Sequence, residues 1–274
     1  MSTLALSQDI HTVEQIVTNL RSISDSCHSL TFMGWDYETP SVISDALFET
    51  IARHRNLRIL TFIFIFISLE DMEKLTQAVC ANRNLETFNL ISKSAACGIR
   101  RPFRGFKLLI ERLKKSSITS LSFGSCPLSI THVTLLSDLF RVNPEITHLG
   151  CQNSIGSQVE LVRIISAIPT LESLDLSNNQ FDSAMMDALC AGLVGNERLH
   201  TLSLKLISKK TDIMITLLST LSKMKSLRVL SLDNNIIDAI MTTPYLIGLL
   251  RDTNLESLSL ARCNICDETL LAMV

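Results

Sequence analysis

Leu171-Glu-Ser-Leu174-Asp-Leu176 decides the fold, because the pattern comes back. Leu-x-x-Leu-x-Leu stands again at Leu199-His-Thr-Leu202-Ser-Leu204, at Leu227-Arg-Val-Leu230-Ser-Leu232 and at Leu255-Glu-Ser-Leu258-Ser-Leu260, each copy starting 28 residues after the one before. A fixed period of this length marks a repeat architecture. Weaker copies carry the series toward the N-terminus: Ile146-Thr-His-Leu149-Gly-Cys151, Ile118-Thr-Ser-Leu121-Ser-Phe123, Leu85-Glu-Thr-Phe88-Asn-Leu90, Leu57-Arg-Ile-Leu60-Thr-Phe62 and Cys27-His-Ser-Leu30-Thr-Phe32. Residues 27–274 are therefore expected to hold nine repeats, starting near 27, 57, 85, 118, 146, 171, 199, 227 and 255.

Between the copies the apolar spacing changes to that of a helix. Met185, Leu189 and Leu193 recur every four residues before Asn196. Met72, Leu75 and Val79 precede Asn82 and Asn84, and Leu246 and Leu250 precede Asn254, the asparagines acting as helix stops. Each unit reads strand, turn, helix, turn. One unit alone cannot bury both its strand leucines and its helix face, but stacked units share a continuous core. Strands stack about 4.8 Å apart and helices about 8–10 Å apart, a mismatch that predicts a curved solenoid with its parallel sheet on the inside. The last unit runs from Leu255 to Val274, so its helix is expected to be cut short.

This pattern resembles the leucine-rich-repeat family, and within it the ribonuclease-inhibitor-like class. The resemblance implies a right-handed α/β horseshoe with a full helix on the convex side of each repeat. It also implies Asn or Cys three residues after the last strand leucine, bonding the backbone of the turn. Asn179, Asn235, Cys126 and Cys263 match, whereas Trp35, Ile65, Lys93, Ser154 and Ile207 depart from it. Residues 1–26 read as an N-terminal helical cap, with Ile10, Val13, Ile16, Val17 and Leu20 on one apolar face after Ser7 or Asp9.

The composition narrows the function. A formal net charge of −2 gives no general drive toward nucleic acid or anionic membrane. The run Ile59–Leu69 is very apolar but only 11 residues long, against about 20 for a spanning helix. Met1-Ser-Thr-Leu-Ala-Leu-Ser-Gln-Asp lacks the basic and apolar regions of a signal peptide. The eight cysteines fall at core-like repeat positions, which points to a reducing, cytoplasmic compartment. Cys263-Asn-Ile-Cys266 has no second ligand pair to complete a zinc site. No histidine stands in a nucleophile or metal pattern, and no glycine-rich loop cradles a phosphate. A non-enzymatic chain without metal or cofactor is expected, as a monomer or weak dimer.

Side chains alternate along a strand, so the third, fifth and seventh positions of each repeat face the concave surface. The seventh column runs Met33, Ile63, Ile91, Gly124, Gln152, Ser177, Lys205, Asp233, Ala261. Its first three members are apolar, Ile59 of the third column stands beside them, and Trp35 is expected at the rim. Such a cluster reads as a protein-docking site. It reads equally as a strand buried on both faces. A polar set, His148, Asp175, Lys205 and Asp233, offers a second recognition surface on later strands. The third repeat is five residues longer than its neighbours and carries Arg100, Arg101, Arg104 and Lys107, followed by Arg112, Lys114 and Lys115. This is a basic patch for an acidic protein or lipid headgroups, or simply a solvated helix face.

The expected function is protein–protein interaction, as an adaptor, inhibitor or effector. The alternative is a GTPase activator acting in trans, with Arg262 or Asn234 on the ascending rim. Stand-alone repeat chains of this kind resemble the leucine-rich-repeat effectors that intracellular bacterial pathogens inject, which implies the host cytosol.

Overall fold

The computed structural model of the chain describes residues 2–8, 11–36, 39–64, 66–93, 105–156, 159–166, 168–208, 210–237, 239–265 and 271. The chain divides into two compact units, Met1–Leu128 with Asp138–Ile146, and Ser129–Ser137 with Thr147–Val274.

In the first unit strand and helix alternate: β1 (Ser2–Ser7), α1 (Val13–Arg21), β2 (Cys27–Trp35), α2 (Ser41–Arg53), β3 (Ile59–Phe64), α3 (Leu69–Ala81), β4 (Thr87–Ser92), α4 (Phe106–Leu113) and β5 (Ser120–Gly124). The strands lie parallel in chain order, β1-β2-β3-β4-β5. Register runs Leu30, Leu60, Phe88, Leu121 in one row and Phe32, Phe62, Leu90, Phe123 in the next, and every one of these side chains is fully buried. Each such burial stabilises the fold by about 1.5–3 kcal/mol. The helices start on side-chain caps where the sequence provides them. Thr12 and Gln15 form a reciprocal capping box on α1, and Ser68 accepts from the Asp71 amide at the start of α3.

The second unit repeats the plan with shorter strands: β6 (His148–Gly150), α6 (Val159–Ser166), β7 (Ser173–Asp175), α7 (Ser183–Leu193), β8 (Thr201–Ser203), α8 (Thr211–Leu221), β9 (Val229–Ser231), α9 (Ala239–Asp252) and β10 (Ser257–Ser259). The remaining helix, α5 (Ile130–Val142), is divided between the two units. Leu174, Leu202, Leu230 and Leu258 are paired strand to strand in one row, as the 28-residue period requires. The first three are buried and Leu258, on the last strand, is half-buried. The α/β solenoid expected from the repeat is the fold observed.

The N-terminal 26 residues depart from expectation. They are a strand followed by a helix, not a helical cap alone, because β1 adds to the sheet with Leu4 beside Leu30 and Leu6 beside Phe32. Met1-Ser-Thr-Leu4-Ala-Leu6 is in fact a further copy of the six-residue pattern, with Met at its first position. Ile16, Val17 and Leu20 of α1 are buried, whereas Val13 is exposed; Ile10 lies outside the described residues.

Trp35 is the second correction. It is fully buried, not at the rim. The pairing of β2 with β3 slips between Met33 and Trp35, so that Trp35 stands opposite Phe64 and Gly34 is the extra residue. Gly34 takes φ +89°, a backbone angle that suits glycine and turns the next side chain inward. The indole then packs 5.1 Å from the ring of Phe62, 5.3 Å from Phe48 and 5.8 Å from Phe32.

Within the apolar run Ile59–Leu69, β3 takes Ile59–Phe64 and Leu69 opens α3, and no helix of the described residues is long and apolar enough to cross a membrane.

Candidate functional site

Strand alternation sets the outward face of the first unit. On β3, Leu60, Phe62 and Phe64 point into the core while Ile59, Thr61 and Ile63 remain half-buried. The alternation excludes the reading of this strand as buried on both faces. Parallel pairing brings Met33, Ile63 and Ile91 side by side on β2, β3 and β4, with Gly124 of β5 next in the row. A Cβ at Gly124 would stand 3.2 Å from Cγ1 of Ile91, so the isoleucine lies directly over the glycine backbone. Ile59 sits at the other end of its strand, between Ser29 and Thr87. Thr61 and Asn89 lie between, joined by a 3.1 Å hydrogen bond from the Asn89 amide. The result is a short aliphatic row across three strands, partly open to solvent and bordered by small polar groups.

The corresponding surface of the second unit is polar. Lys205 Nζ lies 3.3 Å from the carboxylate of Asp233. Asp233 also accepts from the hydroxyls of Ser231 and Ser259 and from the Ala261 amide. Those bonds, the Ser259 hydroxyl foremost, hold its carboxyl below the usual range. Asp175 accepts from Gln152 Nε2 and from the Ser177 amide, each at 2.9 Å. Ser177 shares a 2.9 Å bond with the Ser203 hydroxyl and accepts from the Lys205 amide at 3.1 Å. His148 is exposed and bonds with the Thr147 hydroxyl at 2.9 Å. The expected polar set is thus brought together only at Lys205 and Asp233. Its carboxylates are bonded within the turns.

The basic residues divide. Arg100, Arg101 and Arg104 lie outside the described residues, while Lys107, Arg112 and Lys115 are exposed on or just after α4. Lys114 pairs with Glu111 at 2.9 Å and Arg112 approaches Glu73 at 3.9 Å, so part of this charge is already matched. Cys266 also lies outside the described residues. The Cys263 thiol donates to the Leu232 carbonyl at 3.0 Å, a bond of the turn. Among the described residues no group of three His, Cys, Asp or Glu is placed to hold a metal ion. Arg262 and Asn234 are exposed at positive φ in equivalent turns.

A charged row escaped the reading of the sequence. The second position of the repeats places Arg58 3.3 Å from Glu86 and Arg228 3.5 Å from Glu256, and Glu172 pairs with Arg198 at 2.5 Å. The Arg198 guanidinium keeps Glu172 below the usual carboxylate range. The signal was present in that column, which reads His28, Arg58, Glu86, Thr119, Thr147, Glu172, His200, Arg228, Glu256.

The family model described as Leucine Rich Repeat matches residues 170–191, which include β7 and the start of α7. No curated protein matches the chain in sequence. Among solved structures, the leucine-rich repeat-containing protein LegL7 from Legionella pneumophila is 18% identical, with a TM-score of 0.62 over 94% of this chain and 82% of its own. An internalin (inlF) from Listeria monocytogenes is 14% identical over 100% of this chain and 84% of its own, with a TM-score of 0.40. The TLR13–ssRNA13 complex is 16% identical over 88% of this chain and 33% of its own, with a TM-score of 0.44. The similarity to LegL7 is one of fold. The chain carries leucine-rich repeats and has the fold of the proteins built from them.

Proposed function

We propose that this chain is a non-catalytic recognition module that binds a protein partner on the outward face of β2, β3 and β4. The observation that carries the reading is the aliphatic row of Met33, Ile63 and Ile91, in register and half-open to solvent. The same repeat position in the second unit holds Gln152, Ser177, Lys205 and Asp233, so small or polar groups satisfy the fold there. Aliphatic side chains gathered on an open face suit a docking centre, and the polar groups around them suit its rim. Ile59 extends the surface along β3, while Trp35 supports it from beneath. The described cysteines are free, which supports a reducing compartment, and the role of a translocated effector in a host cytosol is compatible with it.

The test is Ile63→Asp. The variant should keep its far-ultraviolet circular dichroism and lose the partner that the wild-type chain captures by cross-linking from cell lysate. Unchanged capture would remove the aliphatic row from the interface. An unfolded variant would make Ile63 a core residue.

A further inference from the structure

After β5 and each later strand the turn passes through a residue with positive φ. Ser125, Asn153, Asn178, Asn234 and Arg262 hold this place, and Leu206 holds it after β8 with φ +51°. Asparagine tolerates this backbone; an aliphatic side chain is strained in it. Leu206 is also 43% exposed, so burial gives an incomplete return for the strain. Strain of this kind at a surface points to binding.

The surroundings supply a site. Gln180, Phe181, Leu206, Ile207, Ser208 and Lys210 line a cavity of about 320 Å³ between two successive turns. The Phe181 amide donates to the Ile207 carbonyl at 2.8 Å, which fixes the two turns together. Ile236, 44% exposed, follows in the next turn, its amide donating to the Ser208 carbonyl at 3.4 Å. Lys210 is the charged residue among the described lining residues, and among the described residues no carboxylate forms an ion pair with its ammonium.

We infer that this cavity takes a peptide segment of a partner protein bearing one large aliphatic side chain beside an aspartate or glutamate. The apolar side chain enters between Phe181 and Leu206, and the acidic group meets Lys210. Leucine at a position otherwise polar provides the apolar lip, and the uncompensated lysine sets the preferred charge. The site is separate from the row at Met33, Ile63 and Ile91.

The test uses the full chain with 13C-labelled leucine and isoleucine methyls and three heptapeptides. Their central residue is leucine flanked by aspartates, leucine flanked by lysines, or glycine flanked by aspartates. The first should move the methyl signals of Leu206, Ile207 and Ile236 saturably, and the other two should not. Leu206→Asn and Lys210→Glu should each weaken that binding about tenfold, while the melting midpoint of Leu206→Asn does not fall. Ile63→Asp should leave the peptide bound, whatever it does to partner capture. No saturable shift, equal binding of the lysine peptide, or a fallen midpoint in Leu206→Asn, marking it as a packing residue, would each overturn the inference.

Discussion

Asn235 is bonded to Leu204, a repeat away: its side-chain amide donates to the Leu204 carbonyl at 2.8 Å and to the Leu232 carbonyl at 2.7 Å. Its carbonyl oxygen accepts from the amides of Ile207 and Ser208 at 2.9 and 3.0 Å. One buried side chain thus closes its own turn and ties it to the preceding one. Asn179 does the same for Cys151, Leu176, Ser154 and Ile155. At the other end of the repeat, Asn82, Asn143 and Asn196 donate to carbonyls at the end of the preceding repeat, Asn196 also to Leu171 at the start of its own. Leucines supply the burial, and these asparagines satisfy the turn backbone that burial would otherwise leave without partners.

Asn235→Ala should therefore destabilise the chain by about 2–3 kcal/mol, since it leaves buried amides and carbonyls unsatisfied. Asn235→Cys should cost less, because Cys263 occupies the equivalent place with its thiol on the Leu232 carbonyl. Urea denaturation of the two variants beside the wild-type chain measures the difference. Equal loss in both would mean that the carboxamide's extra bonds contribute little.

The strand leucines and the helix stops were legible because each is a local residue choice repeated at a fixed interval. Asn179 and Asn235 could be placed for the same reason. β1 was missed because Met1-Ser-Thr-Leu4-Ala-Leu6 carries methionine at the first position and stands 26 residues before Cys27, short of the common spacing. Trp35 was misplaced because strict alternation fails after one inserted residue, and the slip at Gly34 reverses the side chain that follows. The row Met33–Ile63–Ile91 survived because it precedes that slip. Leu206 was invisible as a site because its meaning lies in a backbone angle that only comparison of equivalent turns exposes.

Trp35 provides an optical check of that correction, being the single tryptophan of the chain. Buried among Phe32, Phe48 and Phe62, it should emit at short wavelength, resist acrylamide quenching and shift to the red on unfolding. Trp35→Ala should cost about 3–5 kcal/mol. Among the described residues its indole nitrogen has no hydrogen-bond partner. Trp35→Phe should therefore lose packing volume and no hydrogen bond, and retain much of that stability. Ready quenching in the native state would return the side chain to the rim.

Cys126 makes a chemical prediction. Burial pushes its thiol up to about 12 from 9.0. Thiolate is the reactive form, so in the folded chain this residue should be inert to Ellman's reagent at pH 8 and react after denaturation. The unfolded thiol releases its proton near pH 9 while the folded one retains it. Stability contributed by the neutral buried thiol is complete below pH 9 and declines as pH rises from 9 toward 12. Cys126→Ala should flatten that part of the profile, as read by thermal melts from pH 8 to 11. An unchanged slope would assign the alkaline loss to other groups.

Asp233 governs the opposite limb. The Ser259 hydroxyl, the Ala261 amide, Lys205 and the Ser231 hydroxyl favour its ionised form, and together they outweigh desolvation. A carboxyl whose folded value lies below its ordinary 3.8 binds fewer protons in the folded chain than in the unfolded one. Its contribution is complete above pH 3.8 and is lost as pH falls through the depressed folded value. β8, β9 and β10 meet at this carboxylate, so amide exchange in the turns at Lys205 and Ala261 should quicken as pH falls below 3.8, beyond the intrinsic change. Asp233→Asn keeps the size of the side chain but removes the charge that Lys205 and the hydroxyls solvate. In that variant the two turns should already exchange faster at pH 6, and the further acid step should disappear. An acid step that persists would belong to another depressed carboxyl, Glu172, Asp252 or Glu70, of which Glu172 is lowered by Arg198 at the other end of the strands. Arg198→Ala separates Glu172 from Asp233, because it should alter exchange near Glu172 and leave the Asp233 turns as they are.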